Sequence, residues 1–478
     1  MSSVPSARLA LRAISACVCI ALASHPSSVI AATKKSIPAK SGTDSDEVLQ
    51  EMQRQIAVLQ GTIADLKARQ DAQADAQVET AKVVNDVQMA TAKPSDALAK
   101  KLDALDKLVA NTRVGGTMFF DVTNQSHDEK TGTGANSKRD GHGAVNGTGF
   151  DVKRFYLTVD HTFDDVWSAN LTTDFNYIGN ISSSSGTVNF GSTILFVKKA
   201  YVQGKFDRLF TVRFGAADMP WIPFVEKWYG YRFVENTITD RSFEGGRSGS
   251  TATAGGVGAF GNSSDWGIHA LGATTGDNSV NYQVSVVNGR GYRNLSRSKS
   301  VDTEARIGYS PIEQMVVAVG GYSGKRGNDT DGGAPTRTAT RGDALLAWRD
   351  ASWGIGGEYF HTENWDDILK YQGAGAGVGT ASGTTKDKAD GYSLWTDWKF
   401  VDQWAAFARY DNVDYKYENL ASVQRKIKDK YWNGGVSYEV LKNMKLALVY
   451  KHNKLDGPDA TPYHYKTNEV GVWGMLTF

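Results

Sequence analysis

The feature that most constrains this chain is a series of sixteen runs in which apolar and polar residues alternate. A period of two is the repeat of a β-strand, because successive side chains point to opposite faces. The alternation therefore predicts an all-β structure over residues 113–478. The runs are 114–123, 150–162, 167–178, 193–204, 209–217, 265–275, 279–288, 301–309, 315–322, 341–349, 352–361, 389–400, 403–412, 429–440, 444–453 and 466–478.

The connections between these runs alternate strictly in length. Each connection after an even-numbered run has two to five residues, whereas those after odd-numbered runs have from 12 residues (289–300) to 47 (218–264). Short turns at one rim and long loops at the other are typical of outer-membrane β-barrels. A soluble sandwich or propeller has no reason to keep this alternation. We therefore predict a sixteen-stranded antiparallel transmembrane β-barrel in the outer membrane of a Gram-negative bacterium, with outer-membrane lipid around it.

Composition and motifs exclude other classes of protein. The 53 basic and 52 acidic residues nearly cancel, which argues against a nucleic-acid partner. After the first thirty residues no apolar run reaches the eighteen needed for a membrane-spanning helix. The sequence has no phosphate-binding glycine loop, and its histidines are scattered without metal-ligand spacing. We predict no catalytic residues, no enzymatic activity, no cofactor and no metal.

The first 32 residues have the pattern of a signal peptide. Basic residues ending at Arg12 precede the short apolar stretch 13–23, and small residues follow near residue 32. An acylation site at Cys17 is the alternative, but Arg12 leaves almost no apolar stretch before it. Removal of residues 1–32 takes away both cysteines, Cys17 and Cys19, so the exported chain is predicted to lack thiol chemistry and disulfides.

Residues 33–112 are predicted to form a periplasmic helical segment. Apolar residues with alternating spacings of three and four make a coiled-coil seam. A solvated amphipathic helix is the alternative reading. Isoleucine at one seam position with leucine at the other favours a coiled coil of two helices in isolation. The number of helices in the assembled protein therefore stays open. The seam consists of Leu49, Met52, Ile56, Leu59, Ile63 and Leu66.

The last run ends in alternating apolar residues and a terminal Phe478. This ending resembles the C-terminal signal that the barrel-assembly machinery recognises, which makes that machinery a predicted partner. An ordinary edge strand that happens to end in phenylalanine is the alternative.

Six segments of the barrel region carry a resemblance to a known family: Lys198–Gln203, Phe210–Gly215, Pro223–Glu226, Asp240–Ser242, Trp266–Gly267 and Tyr282–Gly289. They resemble the phosphate-selective porin O/P family. The resemblance covers roughly residues 113–478 and implies a homotrimeric sixteen-stranded channel. It also implies that the third long loop, 218–264, folds into the lumen and narrows it.

Strand alternation places charges of both signs on the predicted lumen wall. We expect Arg154, Arg213, Arg306, Arg409 and Lys445 to line the pore and contact anions, with Asp174 and Asp411 opposite them. The constriction loop contributes Glu226, Lys227, Arg232 and Arg241.

These charges lead to a functional expectation. We expect an outer-membrane porin for passive diffusion of small hydrophilic solutes, including inorganic or organic anions such as the phosphate that the resemblance implies. The mixed charges leave open a general, organic-acid or sugar porin without phosphate specificity. A barrel-anchored envelope-tethering or adhesive protein is the third possibility.

Overall fold

The computed structural model describes residues 45–90, 101–102, 105, 109–129, 146–178, 181–183, 186–188, 192–242, 259–295, 297–331, 336–366, 384–419, 424–457 and 464–478. The chain divides into two units, Met1–Ala99 and Lys100–Phe478. The predicted signal peptide and residues 243–258 of the third long loop lie outside the described residues.

The first unit contains one long helix, α1 (Ser45–Ala90), of 46 residues. Its interior is rich in alanine, glutamine and charged residues and has no proline, which favours helix formation. The seam residues from Met52 to Leu66 are between 49% and 63% exposed, so nothing described in this chain covers the seam. None of the described helices is long and apolar enough to cross a bilayer.

The second unit is a β-barrel. The closed sixteen-stranded antiparallel barrel predicted from the sequence is confirmed, with β1 paired to β18. Strands β4 and β5 form a separate hairpin within the connection from β3 to β6. The strands are β1 (Thr112–Glu129), β2 (Gly147–Thr162), β3 (Trp167–Ile178), β4 (Ile181–Ser183), β5 (Gly186–Val188), β6 (Ser192–Asp207), β7 (Phe210–Asp218), β8 (Ser264–Ala273), β9 (Ser279–Val287), β10 (Asp302–Ser310), β11 (Met315–Gly324), β12 (Ala339–Arg349), β13 (Trp353–Glu363), β14 (Thr384–Val401), β15 (Trp404–Asn419), β16 (Gln424–Leu441), β17 (Met444–Asp456) and β18 (His464–Thr477).

Several strands extend further toward the long loops than the alternation predicts. The run 389–400 is the core of β14, which begins at Thr384, and the run 429–440 belongs to β16, which begins at Gln424. These extensions are polar on their outward face, so the apolar alternation stops before the hydrogen-bonded ladder does. The pattern therefore marks the apolar band of each strand and not the full length of the strand.

The first and last strands close the barrel around Phe478. The backbone N–H of Gly116 donates to the Phe478 carbonyl at 2.9 Å, and the Phe478 N–H donates to the Gly116 carbonyl at 3.0 Å. A Cβ at position 116 would lie 2.5 Å from the Phe478 ring, so glycine is required there. The Phe478 ring packs against Phe155 with centroids 6.1 Å apart. Closure leaves no unpaired strand edge in the barrel.

Two of the short connections are tight turns stabilised by an aspartate side chain. Asp164 accepts hydrogen bonds from the backbone N–H groups of the second and third residues after it, at 2.8 and 2.6 Å. Asp350 makes the same two bonds at 2.7 Å each. Such aspartate turns fix the sharp reversal between strands. The described turns follow the short-and-long alternation expected from the sequence.

Aromatic side chains form two belts on the outward face of β13–β16. In each of these strands two outward aromatic residues are six positions apart, about 20 Å along the strand. The outward residues between the belts are apolar or small, as a lipid-facing band requires. The belt nearer the short turns has Trp353, Trp398, Trp404 and Tyr438, and the belt nearer the long loops has Tyr359, Tyr392, Tyr410 and Trp432.

The core of the barrel lies inside it, against a loop that enters the lumen. The sequence predicts a polar inward face, and much of that face is polar. One sector is apolar instead and packs against the apolar side of the inward loop. The inward apolar side chains of this sector are Val316, Ala318, Leu345, Ala347, Trp395, Phe407, Ala447 and Val449.

Candidate functional site

The loop that follows β7 forms a short helix, α2 (Ile222–Tyr229), inside the barrel. Pro223 is suited to the first helical turn, where its missing N–H is not needed. Gly230 ends the helix with a positive φ of 77° and donates its N–H to the Glu226 carbonyl at 3.0 Å. The buried residues Ile222 and Tyr229 turn toward the apolar sector of the wall. Lys227 is the one exposed residue of this helix.

Trp221 fixes the start of this loop to β10 and β13. Its indole N–H donates to Oε1 of Glu358 on β13 at 2.7 Å, and its backbone N–H donates to Glu304 on β10 at 3.0 Å. Thr239, on the returning part of the loop, donates to the same Glu358 oxygen at 2.9 Å. Trp221 is fully buried at 0% exposure. Glu358 therefore joins both ends of the inward segment.

A buried network of two arginines and two aspartates holds the returning segment. Arg241 contacts Asp411 at 3.3 Å and Asp429 at 3.2 Å. Arg409 donates to both oxygens of Asp411 at 2.8 and 2.7 Å, and to the backbone carbonyl of Asn236 at 2.5 Å. Arg409 is 3% exposed and Asp411 is fully buried. These charges bind each other and the loop, and they are shielded from solvent.

Other wall residues hold the loop through its backbone carbonyls. Lys153 on β2 and Lys451 on β17 both donate to the Val234 carbonyl, at 3.2 and 2.9 Å. Arg349 on β12 donates to the Trp228 carbonyl at 3.0 and 2.9 Å. The Tyr231 ring stacks on Phe407 of β15 at 4.1 Å. The loop is therefore attached to walls on both sides of the lumen.

A group of inward side chains on β2, β3, β6 and β7 keeps partial exposure. They make hydrogen bonds between neighbouring strands, such as Asn170 to Asp160 at 2.7 Å and Arg213 to Gln203 at 2.8 Å. Because these side chains reach solvent, we assign the passage left by the loop to this wall and the facing side of α2. The half-exposed residues are Thr158, Asp160, Asn170, Tyr201, Gln203 and Arg213.

Three cations near this passage have no carboxylate partner within 4.0 Å among the residues that the structure describes: Arg213, Lys227 and Arg306. Arg213 lies 4.9 Å from the Tyr201 ring centroid, and Arg306 lies 3.6 Å from that of Phe224. Arg306 is only 8% exposed and donates to the Pro220 carbonyl at 2.8 Å.

Lys227 is the exposed member of this group and lies on α2. Loss of water around its ammonium lowers the Lys227 pKa, Asp218 opposes this shift, and the charges of Arg306 and Arg213 add to it. Arg213 and Arg306 are thus close enough for their charges to act on Lys227. Asp218 is itself paired with Lys199 at 2.7 Å. The region therefore has an excess of positive charge.

The remaining predicted site residues form separate ion pairs. Arg154 binds Asp174 at 2.8 Å and is 20% exposed, so the pair borders the passage. Arg232 is paired with Glu226 within the loop. Lys445 lies 3.4 Å from Glu439 near the short-turn rim.

The sequence reasoning did not single out Trp221 or Glu358. Glu358 occupies an inward position of the predicted run 352–361, so its orientation was accessible from the alternation. The alternation could not predict its contact with Trp221, which is 137 positions away in the sequence. The structure shows no group of three histidine, cysteine, aspartate or glutamate side chains arranged for a metal within its described ranges.

The closed barrel with its aromatic belts and apolar outward face defines the class of this protein. It is an integral outer-membrane protein with a porin-like barrel of sixteen antiparallel strands. No family model and no curated protein matches the sequence, so the likeness to the phosphate-selective porin O/P family stays a prediction.

Three solved structures with a similar fold are distant in sequence. The outer membrane channel DcaP of Acinetobacter baumannii has 12% identity and a TM-score of 0.48, over 77% of this chain and 97% of that chain. The anion-selective porin from Comamonas acidovorans has 13% identity and a TM-score of 0.46, over 77% and 99%. OmpF of Salmonella typhi, in complex with daunomycin, has 13% identity and a TM-score of 0.48, over 77% and 97%. None of these likenesses bears on what this chain binds.

Proposed function

We propose that this protein is a porin through which small hydrophilic solutes diffuse passively, anions more readily than cations. The observation that carries the proposal is that the inward loop leaves polar side chains on one part of the wall partly exposed. The loop fills the lumen against β10–β17 and leaves partly exposed polar side chains on β2, β3, β6 and β7. A barrel of sixteen strands is wide enough to hold an aqueous channel beside such a loop.

The preference for anions follows from Arg213, Lys227 and Arg306. A hydrated anion that enters a narrow passage loses water and needs donors to replace it. Guanidinium and ammonium groups without carboxylate partners can supply charge-assisted hydrogen bonds to a solute. The donors of paired cations are already bonded to a carboxylate. Phosphate is the first candidate solute, in keeping with the resemblance of the sequence.

Organic acids are the second candidate solute class. The rings of Tyr201 and Phe224 lie against Arg213 and Arg306. An aromatic surface next to a cation suits a solute with both a carboxylate and an apolar part. An uncharged sugar would use neither of the unpaired charges.

Solute flux into proteoliposomes distinguishes these possibilities. We expect phosphate and a small dicarboxylate to enter faster than an uncharged sugar of similar size, because only the anions are attracted by the unpaired cations. Phosphate is also expected to reduce chloride current through the channel. Equal entry of all three solutes would indicate a general porin. Absence of both flux and current would contradict the channel and favour an anchoring or tethering function.

We further propose that the channel is a homotrimer whose copies meet along α1. The supporting observation is the exposed seam, in which Ile56 is 49% and Leu59 is 59% exposed. A seam of this kind buries its apolar residues only against another helix. The predicted position of α1 is the periplasm.

Cysteine crosslinking of α1 tests the seam. In the mature protein, without residues 1–32 and with Leu59→Cys, we expect disulfide-linked pairs of chains, because facing seam positions bring Cβ atoms within reach of a disulfide. Ala64→Cys, outside the seam on the same helix, is the matched control and should remain unlinked. The predicted mature chain has no other cysteine. Equal crosslinking at both positions would contradict a defined seam.

A further inference from the structure

Two aromatic rings stack on each other at the long-loop end of the lumen. Phe196 of β6 lies opposite Asp174 of β3 in the strand register and shares its inward face. Tyr292 belongs to the long connection between β9 and β10. The two ring centroids are 5.9 Å apart, and the ring planes differ by 28°. Both side chains are partly exposed, so they offer an apolar surface to solutes that enter from the long-loop side.

The backbone at Tyr292 is fixed to β8. Its N–H donates to the Ser264 carbonyl at 3.1 Å, and its carbonyl accepts a hydrogen bond from the indole N–H of Trp266 at 3.1 Å. The preceding residue, Gly291, has a φ of 76° and donates its N–H to Asp265 at 3.0 Å. A positive φ favours glycine at that position. The stacked rings are therefore part of a built surface of the barrel.

Two cations lie against these rings. The Nζ atom of Lys198 is 5.9 Å from the Tyr292 ring centroid. The guanidinium carbon of Arg293 is 5.6 Å from the same centroid and 4.9 Å from that of Phe196. Cations at such distances are attracted to an aromatic ring. We call Phe196, Lys198, Tyr292 and Arg293 the entrance cluster.

Neither cation of the entrance cluster has a carboxylate within 4.0 Å among the residues that the structure describes. Asp174, the acid opposite Phe196, is paired with Arg154 at 2.8 Å. The Lys198 ammonium donates to the hydroxyl of Tyr156 at 2.9 Å, which leaves donors unused. Lys198 is only 5% exposed, and a buried charge is costly without a partner of opposite charge. The cluster thus joins an apolar surface to two cations that an anion would stabilise.

We propose that the entrance cluster binds aromatic carboxylates as they enter the channel. The solute's carboxylate accepts hydrogen bonds from Arg293, which is exposed, and Lys198 attracts it by charge. The solute's ring packs on the exposed parts of Phe196 and Tyr292, which removes apolar surface from water. The inference rests on the proposed anion channel and specifies the class of organic acid that the channel binds.

An aromatic carboxylate contacts both parts of the entrance cluster at once. An inorganic anion would bind the cations and leave the rings exposed, and an uncharged ring would leave the cations without a partner. The same combination recurs about 17 Å further along β6, where the Tyr201 ring centroid is 4.9 Å from Arg213. A solute that leaves the entrance cluster therefore meets a second ring and cation in the passage.

Block of chloride current through the mature protein in planar bilayers tests this inference. The probes are benzoate, acetate and benzamide. Acetate has the charge without the ring, and benzamide has the ring without the charge. We expect benzoate to block at roughly tenfold lower concentration than acetate, because only benzoate gains the ring contact. Benzamide should not block.

Variants of the rings and of the cation separate the two contributions. Phe196→Leu with Tyr292→Leu keeps apolar side chains and should lose the difference between benzoate and acetate. Arg293→Gln should weaken block by both anions. The matched control is Phe206→Leu with Phe210→Leu, an exposed pair beside the short turn between β6 and β7 whose rings stack at 5.8 Å and 28°. This control should be blocked as the unaltered protein is.

Equal block by benzoate and acetate in a channel that prefers chloride would overturn this inference and leave the proposed function in place. A benzoate preference that persists in the Phe196 and Tyr292 variant would overturn the assignment to the entrance cluster. Retained heat-dependent gel mobility shows that each variant is folded. A channel without chloride preference would contradict the proposed anion preference, and the inference with it.

Discussion

Replacement of Arg241 and Arg409 by alanine is expected to release the inward loop and to raise the single-channel conductance several-fold. Both arginines contact the buried carboxylate of Asp411, and Arg241 also contacts the buried carboxylate of Asp429. Removing one partner of a buried ion pair costs about 3–5 kcal/mol, because the other charge stays buried without compensation. Arg409 also holds the loop at the Asn236 carbonyl, so the returning segment loses that contact as well.

Two measurements test this variant. One is conductance in planar bilayers, and the other is the temperature at which the folded protein loses its gel mobility. The control replaces Arg208 and Arg297, two exposed arginines outside ion pairs, by alanine. The control should have the same conductance, and lose its gel mobility at the same temperature, as the unaltered protein. A barrel that stays folded and shows the same conductance after loss of Arg241 and Arg409 would mean that other contacts, such as Trp221 to Glu358, suffice to hold the loop.

Replacement of Arg213 and Lys227 by glutamate is expected to reverse the ion preference of the channel. Both cations reach solvent at the passage and have no carboxylate within 4.0 Å among the described residues, and the double change turns both into anions. Charges that line a narrow passage with low-dielectric walls act strongly on passing ions. Arg213→Glu alone should shift the reversal potential toward zero, and the double variant should change its sign.

The reversal potential across a salt gradient measures this effect. Glutamate at Lys428 and Lys430 is the matched control, since these lysines lie on the outward face of the barrel. That variant has the same change in net charge and should keep the original reversal potential in a bilayer without anionic lipid. An unchanged potential in the Arg213 and Lys227 variant would place both side chains off the ion path.

The sequence predicted the barrel because its two main signals are local. Strand alternation has a fixed period, and turn length is read directly between runs, so the number and order of the strands followed. The inward apolar sector was not predicted. At Val316, Leu345 and Val449 an apolar residue faces the lumen, because the loop covers it there. The expectation that inward-facing residues are polar is wrong where another part of the chain fills the lumen.

Local irregularities also limited the site prediction. The register shifts between Thr172 and Thr173, where β3 pairs with β6. Beside this bulge two consecutive lysines contact inward-facing residues, since Lys198 donates to Tyr156 and Lys199 pairs with Asp218. Simple alternation would assign the two lysines to opposite faces. A bulge leaves no clear mark in the pattern of apolar residues.

The different surroundings of Arg213 and Arg409 show where sequence reasoning stops. Both arginines lie at inward positions of predicted strands, and alternation alone treats them alike. The structure leaves Arg213 partly exposed beside the passage and buries Arg409 beneath the inward loop. The difference depends on which wall the loop contacts, and that choice is made by residues more than a hundred positions apart, such as Trp221 and Glu358.

The reversal potential of the unaltered protein in a planar bilayer with a potassium chloride gradient tests the central proposal most directly. An excess of unpaired cations at the passage predicts discrete channel steps and a potential of the sign that chloride preference produces. A potential of the opposite sign would contradict the role given to Arg213 and Lys227, and a bilayer that stays non-conducting would contradict the channel itself.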